Sequence, residues 1–457
     1  MPAGPASVNP STVAPYMFSL MLRNIATYGF QTADHNEPGN PPAPGGYTAP
    51  GCVLASPSWA VNDGSSYVSY PGNVAPIIED YFFNWTRDAA ITMSVVLAQA
   101  PAQLPAAAAF DLLASYVNFA NTCQASGGDI GQAHYTPEGA STGSTVETDG
   151  PALRILTILQ GFVGLDEPTQ AVAHNVIAAD LAYLLDDDRY QQPTANLWED
   201  TYGQSIFARS VQLAALNQVM NVGPSLGIPV PPTAQAAATW LGQQLPSHWS
   251  AAEQCYTGFD GPFTRGAGDP SAPYDPSIDP ILACIYGAGI APSDPQLLST
   301  AAQVREQWTA GGSAPYPINS ADWSNFGIGP LIGRYNGDEY SGSALTSNTG
   351  HPWVVCTCGF AQLYYELAAA INSGTTPVPT NPLATTFLSQ VGLSATSSTS
   401  DAMSKLRAAG DGMLQAVLYH SNRYELSEQF DQSSGFEISV SNLTWSYAAF
   451  LSAVAAR

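Results

Sequence analysis

Two glutamates stand in segments whose residue types suit chemistry on a carbohydrate. Glu199 follows Trp198, and Glu428 lies in a stretch that also carries Tyr424 and Phe430. Cleavage of a glycosidic bond needs one carboxyl that protonates the leaving oxygen and a second that acts from the opposite side. A gap of about 6.5–9.5 Å between the carboxyls would leave room for an attacking water and would invert the anomeric centre. We therefore take this glutamate pair as the candidate catalytic residues.

Other charged and aromatic side chains stand close to these glutamates or in similar segments. Flat aromatic rings cover the apolar C–H faces of a pyranose, and arginine and carboxylate groups bind its hydroxyls. The six histidines show no metal-ligand spacing, so we predict neither a metal nor a cofactor. The candidate sugar-binding residues are Tyr81, Trp85, Arg87, Asp88, Trp198, Asp200, Arg334, Asp338 and Trp445.

Helices are the elements that must position these residues. Apolar residues recur at helical spacing through most of the chain, and only one short hairpin, between Tyr424 and Val440, is predicted. The predicted fold class is therefore all-α. The predicted helices span 14–27, 86–99, 105–123, 149–164, 167–186, 202–220, 233–247, 276–287, 293–309, 353–372, 401–419 and 442–456.

Twelve helices correspond to six stacked helical hairpins, which can close into a ring, an (α/α)6 barrel. In such a ring, every connection from an odd-numbered helix to the next even-numbered one opens at the same end. These connections are long, and long loops gathered on a rigid scaffold commonly carry function. They hold nearly all the candidate residues and span 28–85, 124–148, 187–201, 248–275, 310–352 and 420–441.

The composition limits the partners. Twelve basic and 36 acidic residues give a formal net charge of −24, which repels nucleic acid phosphates but tolerates a neutral sugar. No segment approaches the run of about 18 apolar residues that spans a membrane, and residues 1–10 lack the features of a signal peptide. The low charged fraction of 11% nevertheless suits an exported protein. We expect a monomer, secreted or periplasmic, that binds neither nucleic acid nor membrane.

Six segments resemble, in the same order, motifs of the glucoamylases, glycoside hydrolase family 15. The resemblance implies an (α/α)6 barrel and an exo-acting, inverting hydrolase. Such an enzyme releases β-glucose from the non-reducing ends of starch-type α-glucans and maltooligosaccharides. The segments are Gly51–Ser58, Tyr81–Asp88, Asp149–Leu153, Leu197–Asp200, Gly333–Tyr335 with Pro352–Trp353, and Ser427–Gln429 with Leu443–Ala449.

The resemblance also implies a role for each matching residue. Glu199 follows a Leu-Trp pair, as the general acid of the family does, and Glu428 occupies the Ser-Glu-Gln element of the general base. The residues implied to contact the sugar are Arg87, Asp88, Asp200 and Arg334, with Trp198 and Trp445 as aromatic walls of the pocket.

The chain departs from the family pattern at two positions. The family often has a tryptophan that lines the sugar subsites after a Gly-Ser pair, but Thr145 follows Gly143 and Ser144 here. Thr148 replaces the arginine that usually precedes Asp-Gly-Pro. These differences leave the linkage preference open. We expect one catalytic domain over residues 1–457, without a starch-binding domain.

Several alternatives remain open at the level of the sequence. An enzyme of the same fold could prefer α-1,6 links, as in isomaltose or dextran, or could cleave trehalose; a non-catalytic carbohydrate-binding protein is the alternative from another class. Individual residues also have structural explanations. Asp88 could cap a helix, Glu199 and Asp200 could be a first-turn charge pair, and Arg334 could form an ion pair with Asp338. The tryptophans and Tyr81 could be core residues.

Overall fold

The computed structural model describes residues 8–27, 48–57, 81–266, 268–342 and 350–457. Most of the predicted connection 28–85 and the serine that ends the first family-like segment lie outside these ranges. The α-helices within them are α1 (Pro10–Leu22), α2 (Thr86–Gln103), α3 (Ala106–Ala125), α4 (Asp149–Gly161), α5 (Glu167–Leu185), α6 (Ile206–Val222), α7 (Ala234–Gln244), α8 (Asp279–Tyr286), α9 (Pro295–Gln307), α10 (Pro317–Phe326), α11 (Val354–Asn372), α12 (Thr385–Gln390), α13 (Thr399–His420) and α14 (Thr444–Ala456).

The helices form two concentric layers. Among the described residues, an inner ring closes because each helix contacts the next and the last contacts the first, in the order α2, α4, α6, α8, α11, α14. Each inner helix also packs against an outer helix, in the same order α3, α5, α7, α9, α13 and α1. The predicted all-α class and the (α/α)6 barrel are thus confirmed, and the twelve ring helices overlap the twelve predicted ones.

Helix α11 shows how the inner ring is stabilised. Nearly all of its residues are buried, since it contacts α8, α13 and α14. It is the one helix of the described ranges that is long and apolar enough, by length and composition, to cross a membrane. However, 78% of its most apolar window is buried inside the barrel, which is typical of a core helix.

The strands are short and lie at the ends of the barrel. The longest described sheet has the order β3-β4-β7 and is antiparallel throughout. The predicted hairpin near Val440 exists as a pair of two-residue strands. The strands are β1 (Asn84–Trp85), β2 (His134–Tyr135), β3 (Thr194–Ala195), β4 (Thr201–Ser205), β5 (Trp249–Ser250), β6 (Cys255–Tyr256), β7 (Phe259–Arg265), β8 (Gln429–Phe430) and β9 (Glu437–Ile438).

Most observed helix bounds differ from the predicted ones by a few residues, and the start of α6 and two additional helices are the informative differences. The helix predicted to begin at residue 202 begins at Ile206, because Thr201–Ser205 pairs with two other strands and the Ser205 side chain caps the helix. Two helices, α10 and α12, were not predicted and lie within the connections predicted as loops. Both are short, and their apolar residues give too few helical repeats to be recognised.

Candidate active site

A pocket with an enclosed volume of about 60 Å³ opens at the end of the barrel where the inner helices begin. We call it the barrel-end pocket. The N-termini of α2 and α14, and the segments that precede α6 and α11, contribute its walls. The long odd-to-even connections therefore do meet at one end. The lining residues are Tyr81, Trp85, Arg87, Asp88, Leu197, Trp198, Glu199, Trp353, Glu428, Leu443 and Trp445.

A tight turn holds Glu199 in the pocket wall. The backbone of Glu199 has a φ of 61° and lies in the left-handed region, which residues other than glycine seldom adopt. Fully buried Asn196 organises the turn, because its Oδ1 accepts the N–H groups of Trp198, Asp200 and Thr201 at 3.2–3.3 Å. The turn closes through a bond from the Asn196 N–H to the Thr201 carbonyl, at 2.8 Å. The general-acid candidate therefore projects from a rigid loop.

The surroundings of Glu199 favour its protonated form. Burial raises the pKa of the carboxyl, and Asp149 and Asp200 act in the same direction, whereas Arg87 and a hydrogen bond from Trp85 lower it. The indole Nε1 of Trp85 lies 2.5 Å from Glu199 Oε1. The net shift of the pKa is upward, as a general acid at mildly acidic pH requires.

Glu428 lines the same pocket and directly precedes strand β8 of the β8–β9 hairpin. Its N–H donates to the Val440 carbonyl at 3.0 Å, and its own carbonyl accepts from the Val354 N–H at 3.1 Å. The carboxylate accepts hydrogen bonds from the Tyr81 hydroxyl, at 3.0 Å, and from the Ser439 hydroxyl. Only 2% of this residue is exposed. Two hydroxyl donors therefore orient a carboxylate that is nearly excluded from solvent.

Arg87 and Asp88 lie in the first turn of α2, beside the two glutamates. One guanidinium nitrogen of Arg87 donates to both Glu147 and Asp149 at 2.9 Å, and its charge lies 5.3 Å from the Trp445 ring centre. Burial raises the pKa of Asp88 to about 7, although Arg87 opposes this shift. At mildly acidic pH this carboxyl is protonated, so it can both donate and accept hydrogen bonds with a hydroxylated ligand.

Arg334 and Asp338 do not line the pocket, although the sequence groups them with the sugar-binding residues. They form a bidentate ion pair with nitrogen–oxygen distances of 2.9 and 2.7 Å, and both are buried. A further nitrogen of Arg334 lies 3.2 Å from Asp200 Oδ2. The guanidinium lies 4.8 Å from the Trp353 ring centre and 5.4 Å from that of Trp198. The group therefore stands behind the aromatic wall.

Three tryptophans form that wall. Trp198 stacks with Trp445 at 6.2 Å between ring centres, and it meets Trp353 edge-on at 5.3 Å. The indole N–H of Trp198 donates to Asp279 at 2.9 Å, and Tyr274 donates to the other oxygen of that carboxyl at 2.9 Å. All three tryptophans line the pocket, and all three are also buried members of the hydrophobic core.

Several supporting residues had no signal in the sequence. They act through contacts that join distant parts of the chain, so neither a motif nor periodicity marks them. Asn196 is one of these residues, because its role depends on the turn that its side chain stabilises. Its amide also donates to the Tyr274 hydroxyl at 3.0 Å. The others are Glu147, Tyr274, Asp279, Tyr340 and Ser439.

The two departures from the family pattern have different surroundings. Thr145 is exposed and hydrogen-bonds through its carbonyl to the Ala133 N–H. Thr148 is buried, and Gln212 donates to its hydroxyl at 2.7 Å. The two positions at which the chain departs from the motif are thus an exposed threonine, Thr145, and a buried threonine, Thr148.

Comparison with known proteins identifies the family. The chain matches Glycosyl hydrolases family 15 over residues 46–455, and it belongs to that family. The resemblance found in the sequence is confirmed, and with it the expectation of a glycoside hydrolase. Glucoamylase GLA1 of Saccharomycopsis fibuligera is 27% identical to the chain, over 88% of it and 86% of the relative.

Solved structures agree with this fold. A glucoamylase from Saccharomycopsis fibuligera superposes with a TM-score of 0.76 and 20% identity, covering 99% of this chain and 96% of that one. A family 15 glucoamylase from Hypocrea jecorina gives a TM-score of 0.75 and 22% identity, covering 98% and 71% of the two chains.

Proposed function

We propose that this protein is an exo-acting, inverting α-glucoside hydrolase of the glucoamylase type. It would release β-glucose from the non-reducing ends of α-1,4-linked glucans and maltooligosaccharides. The observation that carries the proposal is that Glu199 and Glu428 line one pocket whose other described lining residues are five aromatic residues, two leucines, an arginine and an aspartate. The relatives that match the chain are named glucoamylases, which supports the same substrate.

The geometry supports a division of roles between the carboxyls. Glu199, whose pKa is raised, protonates the glycosidic oxygen as the bond from that oxygen to the anomeric carbon breaks. Glu428, held by Tyr81 and Ser439, takes a proton from a water whose oxygen bonds to the anomeric carbon from the other face. The aglycone leaves with the proton of Glu199, and the sugar keeps the hydroxyl of the water.

The form of the pocket supports an exo mode of action. Its enclosed volume is small, about 60 Å³, and buried tryptophans form one of its walls. Such a pocket suits the end of a glucan chain, and we propose that Arg87 and Asp88, which line it, bind hydroxyls of the terminal glucose. The sugar contacts of Asp200, Arg334 and Asp338 remain predictions, as do export and a monomeric state.

Product analysis tests the proposed function. We expect maltose and maltooligosaccharides to be hydrolysed faster than isomaltose or trehalose, and the β-anomer of glucose to appear first in NMR spectra. Glu199→Gln and Glu428→Gln should each lower kcat by about 10²–10⁴-fold. Glu425→Gln is the matched control, because this residue lies in the same segment but does not line the pocket. The α-anomer as first product, or near-normal turnover in either variant, would refute the mechanism.

A further inference from the structure

A second hollow, of about 350 Å³, lies where α9, α10 and the end of α12 meet. We call it the α10 hollow. It shares no residue with the barrel-end pocket. Its lining residues are Arg305, Thr309, Ala310, Asn319, Ser320, Trp323, Ser324, Ile328, Pro330 and Gln390.

Trp323 is the unusual member of this lining. With 64% of its surface exposed, it is the only tryptophan among the strongly exposed apolar residues of the described chain. The other described tryptophans are buried or half-buried. An exposed indole beside a hollow offers a flat apolar face, against which the C–H face of a pyranose can stack. The barrel itself gains little from the exposed part of this ring, so packing does not account for it.

The polar groups around Trp323 suit a ligand rich in hydroxyls. Ser320 and Ser324 place hydroxyls one helical turn apart on α10, and Thr309 adds a third from the end of α9. Gln390 anchors its Nε2 on the Ala302 carbonyl at 2.9 Å, while its Oε1 is buried and meets no donor among the described residues. This oxygen is closed off from the hollow, so the hydroxyls of Ser320, Ser324 and Thr309 are the polar groups that a ligand can reach.

The charge of the hollow also favours a neutral ligand. Among the described residues, no carboxylate lines it and Arg305 is its only cation; one nitrogen of Arg305 already donates to the Tyr364 hydroxyl at 2.7 Å. The protein as a whole is strongly acidic, with a net charge of −24, and repels polyanions. A neutral, hydroxyl-rich ligand with an apolar face matches the ring and the hydroxyls together.

The position of the hollow relates it to the active site. Helix α10 and residues Ile328 and Pro330 belong to the connection from α9 to α11, and this connection ends at Trp353 in the barrel-end pocket. Within it, the Trp353 N–H donates to the Ile332 carbonyl at 2.9 Å. The connection from α9 to α11 therefore contributes residues to both the hollow and the pocket, whereas Gln390 comes from the connection between α11 and α13.

We propose that the α10 hollow is a second α-glucan binding site, with Trp323 as its stacking platform. It binds a stretch of glucan away from the chain end, so that a long substrate is held near the barrel-end pocket. The identity of the sugar rests on the function proposed above. The site itself rests on the exposed ring, the hydroxyls beside it and the absence of carboxylates from the described part of the lining.

β-Cyclodextrin is a suitable probe, because this closed ring of α-1,4-linked glucose units has no non-reducing end for an exo-acting pocket. We expect the wild-type protein to bind it in isothermal titration calorimetry and Trp323→Ala to weaken binding by about tenfold or more. Trp323→Phe keeps an aromatic face and should retain part of the affinity. The double substitution Ser320→Ala and Ser324→Ala removes two hydroxyls beside the ring and should weaken binding while the ring stays in place.

Kinetics and a matched control complete the test. In Trp323→Ala, kcat/KM for maltose should be unchanged, whereas KM for soluble starch should rise. Tyr419→Ala is the control, since this exposed ring packs against Phe326 of the same helix but does not line the hollow. Its cyclodextrin affinity should equal that of the wild type.

Several results would overturn the proposal of a second binding site. The proposal is overturned if β-cyclodextrin does not bind, if it binds Trp323→Ala and wild type equally, or if Tyr419→Ala weakens binding as much as Trp323→Ala. It is also overturned if Trp323→Ala changes only the oligomeric state, because the ring would then be a contact between copies of the chain. Failure of the wild type to hydrolyse maltose would contradict the proposed function, whatever the cyclodextrin result.

Discussion

The two glutamates at the pocket meet different hydrogen-bond donors. Glu199 receives an indole N–H from Trp85, whereas Glu428 receives two hydroxyls, from Tyr81 and Ser439. A donor to a carboxylate stabilises its ionised form, so the bond from Trp85 works against the protonated state that an acid needs. Burial opposes and outweighs it, since the pKa of Glu199 is raised overall. The balance of these two effects sets the pH range of the enzyme.

Trp85→Phe should therefore move the pH profile. Loss of the N–H donor raises the pKa of Glu199 further, so the acid stays protonated to a higher pH. The basic limb of kcat/KM for maltose should shift to higher pH, and kcat should fall by about tenfold because the carboxyl loses a positioning contact. A pH series of initial rates measures both effects. A basic limb that stays in place, or moves to lower pH, would contradict this account of Glu199.

At the scale of elements, two short segments position the carboxyls more closely than any helix does. The turn 196–201 presents Glu199 at a positive φ, and the β8–β9 hairpin presents Glu428. Hydrogen bonds to other elements of the fold hold both segments in place. The first continues into the sheet β3-β4-β7, and the second is tied to α11 through the bond between the Val354 N–H and the Glu428 carbonyl. Backbone hydrogen bonds to neighbouring elements thus fix the position of each carboxyl relative to the barrel.

Asn196→Ala tests the turn as a positioning element. It leaves three backbone N–H groups without their acceptor, which should lower the free energy of unfolding by about 1–3 kcal/mol. Misplacement of Glu199 should lower kcat by about 10²-fold, with a smaller change in KM. Gln191→Ala, in the same connection but away from the turn, should behave as the wild type. Equal losses in both variants would show a general effect of the connection and not a specific role of Asn196.

The molecule as a whole contains many buried carboxyls and few cations. Burial raises the pKa of Asp88, Asp279 and Glu437 to about 7 and that of Asp275 to about 6. The folded state therefore binds more protons than the unfolded state between about pH 4 and pH 7, and its stability falls as the pH rises through that range. The net charge of −24 adds repulsion in the same direction.

Thermal unfolding should show this dependence. We expect the highest Tm near about pH 4–5 and a decline toward pH 7. Below about pH 4 the stability should fall again, because hydrogen bonds and arginines hold the pKa of Asp260 and Asp411 below the ordinary value. A carboxyl whose pKa is raised by one unit contributes at most about 1.4 kcal/mol to the decline. A Tm that rises steadily from pH 4 to pH 7 would exclude this explanation.

Asp275→Asn isolates the contribution of one carboxyl. Its Oδ1 accepts from both the Gly258 N–H, at 2.9 Å, and the Ser277 hydroxyl, at 3.1 Å, so the amide can keep both bonds. The asparagine at this position cannot ionise. The Tm of the variant should therefore decline less toward neutral pH than the Tm of the wild type. Calorimetric scans at a series of pH values compare the two slopes.

The sequence by itself determined the architecture and the chemistry class. Helical periodicity is local, so most ring helices could be located from the chain alone, and the all-α barrel and the family are both confirmed. The order of the helices around a ring then places the odd-to-even connections together. For that reason Glu199 and Glu428, far apart in the chain, could be assigned to one site before their surroundings were known.

Only the tertiary structure decided what supports the site. It set Arg334 and Asp338 behind the tryptophan wall, where the motif alone suggested direct contact with a sugar. It also showed the roles of Asn196 and Asp279, which depend on partners elsewhere in the fold. The residues predicted to begin the sixth helix form part of strand β4 instead. Burial and pairing between distant segments are not properties of a local pattern, and they determine which polar groups face the pocket and which hold its wall.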